Sequence, residues 1–141
     1  MPLDPVRVSD TRAWLAMASN DLRGAQIDLD ADPPLFEDAL FHCQQAVEKA
    51  LKAFLTWHDV PFRKTHNLEE IGYQCEQVDP TLKQLVDTAV PLTEYAWKFR
   101  YPGEPGKVES QEVEEVLGIA RDVYEAVLGA LPNEVRPNDQ Q

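Results

Sequence analysis

Apolar residues recur at intervals of three and four along most of this chain, the period of an α-helix and not of a strand. The first such run, about Asp10 to Asp28, sets Trp14, Met17, Ala18, Leu22 and Ala25 on one stripe, with Ser9 or Asp10 as N-cap. The acidic stretch DLDADPP at 28–34 ends it. The clearest signal follows, from about Pro34 to Trp57. There Phe36, Ala39, Leu40, Cys43, Ala46, Val47, Ala50, Leu51, Phe54 and Leu55 hold the spacing for about six turns. Beside that stripe runs a polar row, His42, Gln45, Lys49 and Lys52, at the same spacing and so on one face.

Punctuation residues divide the second half. Thr65-His66-Asn67 precedes a short helix predicted over Leu68 to Gln77, with Glu69 and Glu70 well placed in its first turn. Pro80 starts the next stripe, Leu82, Leu85, Ala89, Leu92, Tyr95, Ala96 and Phe99, and Pro91 should kink or split it near Ala89. RYPGEPGK, Arg100 to Lys107, carries two prolines and two glycines and reads as a loop. A last helix is predicted over Ser110 to Leu131, with Ser110 as N-cap ahead of Glu112, Glu114 and Glu115. The resulting expectation is an all-α, antiparallel up-and-down bundle of about five helices at 10–131, with an N-terminal extension at 1–9 and a frayed polar tail at 132–141.

Length and charge narrow the picture. A chain of 141 residues supports one domain with one core. No apolar run reaches a membrane span, and the first residues lack the pattern of a secretory signal. Two cysteines far apart in sequence make no disulfide scaffold, so the expected compartment is the cytoplasm. A net charge of −12 argues against coating nucleic acid through the overall field. Yet residues 41–66 hold four basic side chains against two acidic ones, together with all three histidines, so a local anion site is compatible with the composition.

Two groups of residues stand out as candidate chemistry. The row His42, Gln45, Lys49 and Lys52 is either an anion-binding face or a solvated helix face. Tyr95, Lys98, Arg100 and Tyr101, at a helix end running into the loop, are either a phosphate site or favourable cation placement at a helix C-terminus. The chain contains no HExxH, CxxC, GxGxxG, P-loop or GxSxG. His42 and Cys43 are adjacent, which turns them about 100° apart on a helix, so neither metal nor cofactor is expected.

FHCQQAVEKALKAFL at 41–55, THNL at 65–68 and the segment Tyr95 to Pro102 ending in RYP resemble the HEPN domain family. Trp14, Ala18, Asp21, Leu22 and Ala25 resemble its opening helix, so the likeness runs over about residues 10–131. The resemblance implies a dimer of up-and-down bundles, often encoded beside a small MNT-type nucleotidyltransferase as a toxin and antitoxin pair. It also implies, for many members, metal-independent ribonuclease activity from an Arg and a His with four to six residues between them. The Arg would neutralise the scissile phosphate and the His would act as general base or acid. Arg100 matches the arginine, but Pro105, Gly106 and Lys107 stand where the His belongs.

The expectation for function is therefore a dimeric binding module for a nucleotide or RNA phosphate, or for a nucleotidyltransferase partner, that lacks the usual catalytic motif. The expected ligand-binding residues are Lys49, Lys52, Lys98, Arg100, Tyr101, Gln45, His42 and His66. A divergent ribonuclease toxin using Arg100 and another base, or a purely structural subunit, are the alternatives.

Overall fold

A helix rich in alanine can be approached closely from several sides, and Ala39, Ala46, Ala50 and Ala53 make Phe36–Trp57 such a helix. In the computed structural model, which describes residues 3–99, 101–102 and 106–137, it is the second of five α-helices and the centre of the fold. We label them α1 (Pro5–Asp30), α2 (Phe36–Trp57), α3 (Leu68–Val78), α4 (Lys83–Ala89) and α5 (Ser110–Ala130). Thirteen of the 22 residues of α2 are buried, more than one helical face can hold. It lies along α1 for most of its length and also touches α3, α5 and the segment Val90–Ala96. No strand occurs among the described residues, and none of their helices is long and apolar enough to cross a membrane.

Pairings between α1 and α2 fix their direction. Asp28 meets Asp38 and His42, Asp21 meets His42 and Lys49, and Trp14 meets Lys52, so the helices run antiparallel. Helix α2 closes with its last carbonyls satisfied. Val60 N–H donates to Leu55 O at 2.9 Å and Asp59 N–H to Thr56 O at 3.1 Å, with Asp59 at φ 58°. This is the left-handed helix ending that usually takes glycine.

Several boundaries differ from the sequence reading for physical reasons. Helix α1 starts at Pro5, not near Asp10. Pro5 needs no N–H partner in the first turn, and Asp4 caps the helix by accepting from Val6 N–H at 3.0 Å. Residues 5–9 are thus helical. The buried stripe of α1 is also rotated: Met17 is 47% exposed, while Thr11, Leu15, Ala18, Asp21, Ala25 and Asp28 face inward. Two of those six are aspartates, which disguised the stripe. At α5 the cap is Glu109 and Ser110 is the first helical residue.

Pro91 splits its stripe as anticipated. Helix α4 ends at Ala89 and the chain continues as a 3₁₀ segment over Val90–Ala96. The expected frayed tail is instead docked as far as it is described. Val135 is fully buried and Arg12 donates to the carbonyl of Glu134.

Two substitutions test this packing. A Cβ at Gly72 would overlap Val86 Cγ1, so Gly72→Ala should destabilise the α3–α4 contact by about 1–3 kcal/mol. Asp59→Gly should stabilise by about 1 kcal/mol by relieving the left-handed backbone. Urea denaturation of both variants beside wild type measures the two effects.

Candidate functional site

Helical spacing brings the row His42, Gln45, Lys49 and Lys52 to one side of α2, but the neighbouring elements divide it between two buried carboxylates. Asp21 of α1 takes the first part. Its Oδ1 accepts from His42 Nδ1 at 2.8 Å and its Oδ2 from Lys49 Nζ at 2.7 Å. The other edge of the same imidazole faces two more acids: Nε2 stands 3.4 Å from Asp38 Oδ2 and 3.9 Å from Asp28 Oδ2. Gly24 makes this approach feasible, because a Cβ there would come within 3.3 Å of Nε2. Burial and the adjacent Asp38 carboxyl push Asp28 up to about 6.

Glu48 is the second node. It is 4% exposed, and its Oε1 accepts from His66 Nδ1 at 2.7 Å and Gln44 Nε2 at 3.1 Å. Its Oε2 accepts from Lys52 Nζ at 2.9 Å. Burial alone would raise this carboxyl, but hydrogen bonds from His66, Lys52 and Gln44 outweigh it and hold Glu48 below its ordinary value. Lys52 is only 7% exposed and lies over the rings of Trp14 at 5.5 Å and Phe62 at 5.7 Å. Gln45 joins the same network by donating to Gln44 Oε1 at 2.7 Å.

A third cluster closes the segment before the loop. Tyr95 and Phe99 stack with ring centroids 6.0 Å apart, and Tyr95 Oη donates to Glu112 Oε2 at 2.6 Å. Burial and that carboxylate push the phenol above its ordinary range. Lys98 Nζ pairs with Glu94 Oε1 at 3.2 Å and lies 5.5 Å from the Phe99 ring. Glu37, Asp38 and Phe41 of α2 face Tyr95 and Phe99 across a cleft of about 460 Å³. Trp97 and Tyr101, close to Phe99 in sequence, are exposed, Tyr101 at 78%. Arg100 lies outside the described residues, as does Pro105. A cavity of about 700 Å³ between α3 and α4 is lined by Tyr73, Glu76 and Lys83 and holds none of the candidate site residues read from the sequence.

His42 and Lys49 therefore meet at Asp21, Gln45, Lys52 and His66 meet around Glu48, and Lys98 joins the third cluster, while Tyr101 stands exposed. Lys49 and Lys52 carry their charge against a carboxylate each, not toward open solvent. The residues that organise these clusters, Asp21, Asp28, Asp38 and Glu48, are not among the expected site residues, and Asp21 entered only through the resemblance of the opening helix. Two signals for them lay in the sequence, since Asp38 and His42, and likewise Gln44, Glu48 and Lys52, stand four apart. Both cysteines pack in the core: burial pushes their thiols up to about 12, and Cys75 Sγ donates to Leu51 O at 3.6 Å.

A family model described as HEPN domain matches residues 11–131, from the second turn of α1 to just past the end of α5. No curated protein and no solved structure matches the chain.

Glu48→Gln should cost about 3 kcal/mol at pH 7, because Lys52 would be left buried without its counter-charge. The stabilisation from a carboxyl lowered in the fold is complete above its ordinary value of 4.5 and is lost as pH falls through the lower folded value. The difference between variant and wild type should therefore shrink in acid. Denaturation curves at pH 7 and below pH 4 measure it.

Proposed function

The chain belongs to the HEPN domain family, and from that premise we propose that it is a non-catalytic, dimeric module that binds a nucleotide or the phosphate of an RNA end. The observation that carries this reading is the cleft between α2 and the segment 95–99. Aromatic rings of Phe41, Tyr95 and Phe99 line it, and Trp97 and Tyr101, close by in sequence, are exposed. Aromatic faces of this kind stack on nucleobases without demanding one sequence. Glu37 and Asp38 on the cleft wall repel phosphate but accept hydrogen bonds from the amino groups of a base. The base thus belongs inside the cleft and the phosphate outside it, at Lys98, with Arg100 two residues on in the sequence as the second cation.

Loss of the motif histidine supports the non-catalytic half of the proposal. Arg100 keeps its proton at any physiological pH and cannot act as a base, and proline and glycine at 105 and 106 carry no group that can. The exposed aromatics also suit a two-fold interface, and a small nucleotidyltransferase encoded alongside would complete a toxin–antitoxin arrangement. In this reading Lys49 and Lys52 hold α1 and α2 together and touch the ligand only indirectly. A divergent ribonuclease is the second reading, favoured by His42, whose ring stands 3.4 Å from Asp38 on the cleft wall.

Titration with mononucleotides and short single-stranded RNA tests the site. Arg100→Ala and Lys98→Ala should weaken binding and reduce its salt dependence, and Tyr101→Ala should cost about 1–3 kcal/mol of affinity. Equal affinity in wild type and these variants removes the site. Light scattering should return twice the 16.0 kDa chain mass. In a ribonuclease assay wild type should leave RNA intact, whereas cleavage that Arg100→Ala abolishes would establish the second reading.

A further inference from the structure

From the meeting of α1 with the start of α2, independently of the nucleotide reading, we infer that Asp28, Asp38 and His42 form a binding site for a divalent first-row transition ion such as Zn²⁺, Co²⁺ or Mn²⁺. One ligand atom from each lies within 4.8 Å of the others. Bonds of about 2.0–2.2 Å to such an ion put neighbouring ligand atoms roughly 3–3.5 Å apart. His42 Nε2 and Asp38 Oδ2, at 3.4 Å, already stand at that spacing. Asp28 Oδ2, 3.9 Å from Nε2, has to close by only a few tenths of an ångström.

An independent observation points to a missing cation. Asp28 is 8% exposed, and its Oδ2 is shut off from solvent with no hydrogen-bond donor in reach, its neighbours being the Asp38 carboxyl and, at 3.9 Å, His42 Nε2. A buried carboxylate oxygen in that state loses its hydration without compensation, and such groups are normally paired or bound to a metal. The oxygen faces the site.

The imidazole is oriented as a metal-binding histidine is. Asp21 accepts from Nδ1, which in the neutral ring leaves the Nε2 lone pair directed at the two acids, and Lys49 steadies Asp21 in turn. Lone pair and carboxylates repel one another unless positive charge stands between them. One nitrogen with two oxygens suits a borderline ion better than Mg²⁺ or Ca²⁺, which favour all-oxygen sets. Three protein ligands leave a further coordination position open.

Calorimetric titration of the full chain with Zn²⁺, and visible absorption with Co²⁺, test the inference. One ion per chain should bind, and a thousandfold excess of Mg²⁺ should not displace it. Asp28→Asn and His42→Gln should each lower the affinity at least tenfold, Asp21→Asn by about 10- to 100-fold through the imidazole, and the distant Asp87→Asn not at all. Thermal melts of the variants without metal check that each is folded, and where one is not, the remaining variants and the Co²⁺ spectrum of wild type decide. The site is overturned if wild type takes up no stoichiometric Zn²⁺ or Co²⁺, which would mean that a proton on Nε2 fills the gap. It is equally overturned if folded Asp28→Asn and His42→Gln bind as wild type does, or if Mg²⁺ displaces the ion.

Discussion

A helix enclosed by its neighbours cannot leave a charged side chain without a partner, and that constraint on α2 shapes the rest of the molecule. Glu48 and Lys52 are buried in it, four residues apart, and each would be costly alone. Glu48 is acceptable because Gln44, Lys52 and the incoming His66 supply all its hydrogen bonds. His66 lies just before Asn67, which caps α3 by accepting from Glu69 N–H at 2.9 Å. The same contact that satisfies Glu48 thus anchors the chain where the second half of the bundle begins. Where α2 faces α1, Asp21 plays the equivalent part by holding His42 and Lys49.

That arrangement explains why the fold was easier to read than the site. The apolar spacing of α2 and α5 is long and regular, and Pro91 can only interrupt a helix, so those elements appear in the structure much as the sequence predicts them. The stripe of α1 was read slightly rotated, because aspartates occupy core positions and Met17 an exposed one, although Trp14, Ala18, Leu22 and Ala25 do face the core. Its start was missed because the cap, Asp4, precedes a proline and lies ahead of the apolar repeat. The row on α2 was correctly placed on one side of the helix. Which carboxylate each member would meet depended on α1 and on the 63–67 turn, and spacing within one helix carries no information about that.

Charge makes better sense once these pairings are known. The only stretch with a basic surplus, 41–66, places two of its lysines and two of its histidines against buried or half-buried acids. Its apparent attraction for anions is therefore used inside the protein. Lys98 instead lies over the ring of Phe99, which lines the aromatic cleft, and pairs with Glu94. Asp38 belongs both to that cleft and to the Asp28–His42 cluster, so the two sites share a wall.

The two core cysteines have a kinetic meaning. Cys43 sits on α2 and Cys75 on α3, both buried, with thiols held near 12. Disulfide exchange and alkylation proceed through the thiolate, so neither sulfur can react while the helices stay together. An alkylating reagent in solution would then modify each cysteine at the rate at which its own helix leaves the bundle. Equal rates mean that the bundle opens as one cooperative unit, and a faster Cys75 means that α3 departs while the α1–α2 pair stays closed.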